Sequence, residues 1–242
     1  MIYLFTDFSY AGPYVGELKS VLQKKQTGHE IIDLMHDAPA FNAKASAYLL
    51  AAVSRQFKKN DACLAIIDPG VGDTDRRPII VNADGVTYCG PDNGLFSQII
   101  QQAKNVEVFD IRWHPKKLSN SFHGRDLFAP ALAKYLLNDD LALKPVSLNK
   151  LVGRDWPNSL NEVIYIDHYG NCITGIPAEI IKKSQTIHFH NYSLNYARTF
   201  SKLDKGQAFW YINSMGLVEI SINQGHAAEF FKIHVGSELT VG

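Results

Sequence analysis

The sequence is poor in cysteine. It has only Cys63, Cys89 and Cys172 in 242 residues. An odd number at wide spacing fits neither a disulfide framework nor the paired ligands of a zinc site. Each lies in an apolar or strand-like run, where a buried reduced thiol is expected. Net charge is lacking too, because 24 Lys plus Arg balance 24 Asp plus Glu. Without a basic surplus or a run of like charge, no nucleic-acid footprint is expected. No stretch approaches the roughly 18 apolar residues of a membrane helix, so no membrane association is expected either. The chain opens on a strand-like run, Ile2 to Phe5. It shows no basic or apolar region of an export signal, which makes a cytoplasmic location the expectation. The phosphate-binding patterns G-x-x-x-x-G-K-S/T and G-x-G-x-x-G are missing. So are internal repeats and low-complexity tracts.

What is present is ordinary globular material, 46% hydrophobic and 20% charged, in a chain long enough for one large domain or two smaller ones. The first half alternates strand and helix patterns. Ile2–Phe5 reads as a strand, and Tyr14–Gln23 as a helix with Val15, Leu18 and Leu22 on one face. Ile31 to Leu34 forms a short strand. Asn42 is placed to cap a helix running to about Phe57. Leu64–Ile67 has the unbroken apolar character of a strand buried on both faces. Ile79–Asn82 and Val86–Cys89 flank Ala83-Asp84-Gly85, a hairpin signal. Asn93–Gln102 reads as helix, Val106–Ile111 as strand and Arg125–Leu137 as helix. Repeated strand–helix units predict an α/β fold, with a mainly parallel sheet covered by helices on both faces, over residues 1–150. Turn-rich stretches, Asn138–Asp140 and Arg154–Ser159, then lead into short strands punctuated by glycine: Val163–Ile166, Thr186–Phe189, Ala208–Ile212 and Leu217–Ile222. A smaller β-rich domain is predicted over residues 151–242.

Polar clusters recur where such scaffolds carry function, at the C-terminal ends of strands. Thr6-Asp7 follows the first strand. Asp68-Pro69-Gly70-Val71-Gly72 follows another, with Arg76 and Arg77 close behind. Gly90-Pro91-Asp92-Asn93-Gly94, Ser121-Phe122-His123-Gly124-Arg125-Asp126 and Asp167-His168-Tyr169-Gly170-Asn171 sit at further element ends. Singly, each also reads as turn or cap chemistry, and Asp126 as a carboxylate favoured at a helix start; together they point to a site. Metal binding is the rival reading. His123 with Asp126 and His188 with His190 are paired spacings without an evident third ligand. The loop Asp68–Asp75 carries three aspartates but lacks the spacing and terminal Glu of an EF-hand. No metal site is expected.

These blocks, with Pro13-Tyr14-Val15-Gly16 and Asn213-Ser214, stand in the order found in a known family. The chain resembles the S-adenosylmethionine hydroxide adenosyltransferases, relatives of the fluorinase and chlorinase enzymes, over almost its whole length. The resemblance implies an α/β domain followed by a smaller barrel-like one. It also implies a homotrimer whose sites lie between the first domain of one subunit and the second of its neighbour. The implied reaction is hydrolysis of S-adenosylmethionine to adenosine and methionine, with no cofactor beyond this small-molecule substrate. In that comparison Asp7 looks like the carboxylate that grips the ribose hydroxyls. Asp68, an arginine of the Arg76-Arg77 pair (Arg76 favoured) and His123 resemble the triad that holds the attacking water. Tyr169 sits where a ring stacks on adenine, and Asn171, with its neighbour Asp167, matches residues that read the adenine or ribose. Ser214 resembles a contact to the methionine end. Ala227 and Ala228 match a loop whose backbone reads adenine.

The chemistry suits these residue types. A sulfonium is already a good leaving group, so the demand falls on delivering an oxygen nucleophile in line with the C5′–S bond. A carboxylate and an imidazole can accept the water's proton, and arginine stays cationic beside them. The sequence departs from the family where Ser9 replaces glycine, Gly12 an aspartate that meets the methionine ammonium, and Met215 a polar residue; a weaker hold on the amino-acid end is expected. His123 and a compact run from Arg77 to Cys89 favour water over halide as nucleophile. Two other functions compete: a non-catalytic adenosine or S-adenosylmethionine binding protein, and a metal-dependent nucleotide hydrolase.

Overall fold

The computed structural model describes residues 1–73 and 75–242; Thr74, in the Asp68–Asp75 loop, lies outside them. The chain divides into two compact units, Met1–Leu50 with Gln56–Trp156, and Ala51–Arg55 with Pro157–Gly242.

The first unit is built on a seven-stranded sheet: β1 (Ile2–Thr6), β2 (Ile31–Met35), β3 (Ala62–Ile66), β4 (Pro78–Ala83), β5 (Val86–Pro91), β6 (Val106–Ile111) and β7 (Leu143–Pro145), in the order β2-β1-β3-β5-β4-β6-β7. β1 pairs in parallel with β2 and β3, and β3 with β5. From β5 onward the pairing is antiparallel. The switch is local. Asp84 and Gly85 both take positive φ, 49° and 88°, as a two-residue hairpin turn between right-twisted strands requires. β4 therefore folds straight back on β5, and the sheet is mixed rather than uniformly parallel.

Four helices accompany the sheet: α1 (Tyr14–Lys24), α2 (Ala43–Val53), α3 (Ser97–Gln102) and α4 (Ala129–Leu136). Leu18 and Leu22 of α1 and Leu132 of α4 pack with Ile2, Leu4 and Leu64 into one buried cluster. β3 is buried at every residue, as its apolar run predicted. Asn42 caps α2, its Oδ1 accepting from the Ala45 N–H at 2.9 Å. α2 ends at Val53 in a 3₁₀ turn, Ser54–Gln56, short of Phe57.

Two helix expectations change. The Asn93–Gln102 helix begins only at Ser97. Asn93 spends its side chain on Ile67 O and the Leu95 N–H, and Gly94 takes φ 95°. The Arg125–Leu137 helix is in two parts, a widened π turn over Gly124–Phe128 and then α4. Such turns insert one residue into the helical repeat.

The second unit is antiparallel. β8 (Leu160–Ile166), β9 (Cys172–Pro177), β12 (Ala208–Ile212) and β13 (Leu217–Ile222) form one sheet in the order β12-β13-β9-β8. β10 (Ile187–Phe189), β11 (Tyr192–Leu194) and β14 (Thr240–Val241) form another, in the order β11-β10-β14, and a short helix, α5 (Ala227–Phe231), completes the unit. Trp210, Val218, Ile220 and Phe231 anchor its core. All three cysteines are free and buried, and burial raises their thiol pKa values.

Candidate active site

The first cluster starts where β1 ends. Thr6 Oγ1 lies 2.7 Å from Nδ1 of the fully buried His36, whose Nε2 faces Asp33 Oδ1 at 3.3 Å. An ionised carboxylate only accepts, and Lys19 holds Asp33 ionised at 2.9 Å. The ring proton therefore sits on Nε2, and Nδ1 accepts from the Thr6 hydroxyl. Thr6 Oγ1 in turn accepts from the Phe8 N–H at 3.3 Å. This chain fixes the turn that presents Asp7. Asp7 Oδ2 accepts from the Phe41 N–H at 3.0 Å, and burial nonetheless raises the Asp7 pKa above its ordinary value. Phe41 has φ 60° and is 77% exposed, a backbone setting that bulky residues rarely take and that concentrates at functional sites.

The second cluster follows β3. Asp68 and Arg76 form an ion pair, their side chains only 5% and 9% exposed. The charges touch without hydrogen-bond alignment: both Asp68 oxygens and Arg76 Nε and Nη1 are buried with no well-aligned partner. Burial pushes the Asp68 pKa up to about 6, against the opposing pull of Arg76 and with the Asp7 charge adding to the rise. A Cβ on Gly70 would stand 3.0 Å from Arg76 Nη1, so the glycine leaves the guanidinium its place. Arg77 does something else. It binds Asp92 through Nε at 3.0 Å and Nη2 at 2.5 Å, and donates to Lys150 O. Of the two arginines left open in the sequence, Arg76 is the one paired with Asp68, and Arg77 is paired with Asp92.

Asp68 and His123 line one cleft of about 380 Å³, with Phe8, Tyr14, Phe122 and Ser121. Burial, then the Arg76 charge, lowers the His123 pKa, with Asp126 opposing. Near neutral pH this imidazole is therefore an acceptor. The neighbouring Arg125 is committed elsewhere. It grips Asp126 through Nε at 2.6 Å and Nη2 at 3.0 Å, and Glu17 at 2.6 Å. Asp126 also accepts from the Ser119 N–H at 2.9 Å. Those bonds tie the His123 turn to α1. Among the described residues no three His, Cys, Asp or Glu side chains converge in a metal-binding group.

The second unit carries its own open cleft, about 640 Å³, lined by Asp167, Tyr169, Asn171, Phe200, Tyr211 and Gln224, among others. Asp167 organises it. Its Oδ1 accepts from the Tyr169 and Asn171 N–H groups at 2.9 and 2.8 Å, and Oδ2 from Asn171 Nδ2 at 2.9 Å. Tyr169 is left 72% exposed, its ring open to a flat partner. Gly170 between them has φ 80°, and a Cβ there would collide with His226 Nδ1. Ser214 is exposed on the β12–β13 turn, outside this lining. Ala228 is buried, and its N–H donates to Gly170 O at 2.9 Å, bracing the turn from behind. Phe41, Phe200, Tyr211 and Gln224 were not singled out by sequence. Phe41 had one local signal, an aromatic standing alone in the turn-rich Ala38-Pro39-Ala40-Phe41-Asn42.

Comparison with known proteins finds one family in both units. The family model described as SAM hydroxide adenosyltransferase N-terminal domain matches residues 2–143, and its C-terminal counterpart residues 161–240. A protein of Salinispora arenicola named (R)-S-adenosyl-L-methionine hydrolase is 31% identical, covering 98% of this chain and 95% of its own. One of Thermus thermophilus with the same name is 29% identical over 97% of this chain and 96% of its own. Among solved structures, an uncharacterized conserved protein from Thermotoga maritima superposes with a TM-score of 0.84 at 26% identity, covering 100% of this chain and 99% of the other.

Proposed function

We propose a reaction for this chain from one premise: it belongs to the SAM hydroxide adenosyltransferase family. It is an S-adenosylmethionine hydrolase, forming adenosine and methionine. The observation that carries the site assignment is the Asp68–Arg76 pair, buried yet with unfilled hydrogen-bonding capacity, whose Asp68 lines the same cleft as His123. Buried polar groups seldom go unpartnered, and a catalytic role is one of the reasons that they do.

In this reading a water molecule is held by Asp68 and His123. Its oxygen forms a bond to C5′ of the substrate as the C5′–S bond breaks. The bonding pair leaves with sulfur, which becomes the neutral thioether of methionine, and the water proton passes to Asp68 or His123. Near neutral pH Asp68, raised to about 6, is ionised, and His123, lowered from its ordinary value by burial, is neutral, so both can accept. Arg76 keeps the carboxylate charged. Asp7, held by the Phe41 N–H, grips the ribose hydroxyls with charge-assisted hydrogen bonds. Tyr169 stacks on the adenine, Asp167 and Asn171 read its edge or the ribose, Ala228 belongs to the adenine loop, and Ser214 meets the methionine end.

The relatives' name specifies the (R) sulfonium epimer, and the proposal extends to that epimer here. It also holds that no metal or organic cofactor takes part, because the sulfonium supplies its own electrophilicity. It further holds that the working form is a cytoplasmic homotrimer with each site completed by a neighbouring subunit. The separate residue sets of the two units support that arrangement. No helix among the described residues is long and apolar enough to cross a membrane.

The test is incubation of chelator-treated protein with S-adenosylmethionine in ¹⁸O water, followed by mass analysis. Adenosine labelled at the 5′-oxygen, equimolar methionine and loss of both in His123→Ala are expected. Binding without turnover would replace the enzyme by a binding protein. Activity restored only by a divalent cation would replace the mechanism.

A further inference from the structure

A buried carboxylate in the second unit takes no part in the scheme above. Glu219 lies in the middle of β13, a strand buried at every residue, and is itself 4% exposed. A charged residue this deep is rare unless its partners repay the lost hydration. Its partners come from β12, the turn after it and β13, and one of them, Tyr211, lines the cleft. Oε1 accepts from Tyr211 Oη at 2.5 Å and from Ser221 Oγ at 3.4 Å, and Oε2 accepts from Asn213 Nδ2 at 2.9 Å.

Each of the two main partners controls a different feature. Tyr211 stands opposite Glu219 in the β12–β13 register, and its ring forms part of the cleft lining, packed edge-on against Phe200 with centroids 5.4 Å apart. Its hydroxyl points to Glu219, which leaves the ring to face the cleft. Asn213 turns its own Oδ1 to the Met215 and Leu217 N–H groups at 2.9 and 3.0 Å, closing the turn that carries Ser214. An amide has one acceptor oxygen and one donor nitrogen. With Nδ2 committed to Glu219, the Asn213 oxygen is oriented toward the turn. One carboxylate thus sets both a wall of the cleft and the loop beside it.

We propose that Glu219 is a positioning residue for substrate binding: through Tyr211 and Asn213 it holds the aromatic wall and the Ser214 turn in the arrangement that receives S-adenosylmethionine. The inference rests on the hydrolase reading, and the test separates the two.

Three variants test the arms. Tyr211→Phe removes one. Glu219→Gln removes the charged acceptor from both arms: with its oxygen on Asn213 the amide nitrogen faces the Tyr211 hydroxyl, which must stop donating, and with its oxygen on Tyr211 the nitrogen faces the Asn213 nitrogen, donor against donor. Glu219→Gln with Asn213→Asp reverses the polarity of the bond to position 213: the introduced amide donates, and the introduced carboxylate still accepts from the Met215 and Leu217 N–H groups. Kinetics with S-adenosylmethionine, calorimetric binding of the same compound and melting curves are recorded for each. Glu219→Gln raises KM and Kd about tenfold with kcat nearly unchanged, the scale of a lost charge-assisted hydrogen bond, and the double variant recovers most of that loss. A purely structural Glu219 gives the opposite pattern: lower melting temperature and less active protein at unchanged KM and Kd, without recovery. That result overturns the inference. Wild-type protein that binds but does not turn over removes the hydrolysis reading, and the Kd comparison still decides the role of Glu219 by the same criteria. Wild-type protein that does not bind overturns both.

Discussion

Replacing Arg76 by methionine removes the cation paired with Asp68 while keeping a long side chain in a buried place. The size of the effect follows from the geometry. With Arg76 present, burial holds the Asp68 pKa at about 6. An adjacent opposite charge lowers a carboxyl pKa by about one to three pH units, so without it Asp68 should titrate between about 7 and about 9. At pH 7 the ionised fraction then falls from about 90% to between about 50% and about 1%. If Asp68 acts as base, kcat/KM at pH 7 drops about two- to ninety-fold, and most of the loss returns at alkaline pH. His123 also loses the depressing influence of Arg76, so the measured limb belongs to the coupled pair. The assay is chromatographic release of adenosine over about pH 5 to about pH 10, corrected for spontaneous breakdown of the substrate, with a melting curve to confirm folding. A variant whose acid limb stays where the wild type has it refutes the reasoning: Asp68 would then be neither coupled to Arg76 nor the group that must ionise.

Other expectations follow from the same geometry. Asp68 is raised from 3.8 to about 6, so its ionisation opposes folding; the favourable contribution is complete below pH 3.8 and lost as pH rises through 6. Asp68→Asn should therefore stabilise the protein by about 2–3 kcal/mol at pH 7 while abolishing turnover, and calorimetry showing no gain at neutral pH would count against the burial argument. His123→Ala should lower kcat by about 10²- to 10⁴-fold with KM little changed; steady-state kinetics showing a KM effect alone would move His123 from the reaction to the binding surface. Gly170→Ala drives a methyl into His226 Nδ1 at φ 80°, which should cost about 1–3 kcal/mol and weaken binding at Tyr169. Unchanged melting and KM would show that turn to be slack.

The strand-end clusters were legible because short apolar runs give way abruptly to turn-forming polar residues, as at Phe5-Thr6-Asp7 and Ile67-Asp68-Pro69. The hairpin at Asp84-Gly85 was legible for the same reason. What sequence could not deliver depended on contacts between distant residues. Nothing local distinguishes Arg76 from Arg77; the difference is that Asp92 lies within reach of one and Asp68 of the other. Glu219 looks like a solvated charge on a strand until the register sets it opposite Tyr211. Hydrophobic spacing reads straight through Gly124–Phe128, because the periodicity of α4 masks the one-residue excess ahead of it. Asn93 carries good cap chemistry, yet its side chain is claimed by Ile67 O, 26 residues away in sequence.

The widened turn at Gly124–Phe128 also bears on how this site can change over time. His123 is the residue just before that turn, and α4 follows it directly. Each residue of a helix advances the direction of its side chains by about 100°. Deleting one residue between positions 124 and 128 would restore a regular helix, keep α4 in the core and swing residue 123 by about that angle away from Asp68. Point substitutions exchange the imidazole for another group in the same direction. A single-codon deletion removes the direction itself, so this rim is expected to tolerate exchange of the side chain at 123 better than loss of one residue from the turn behind it.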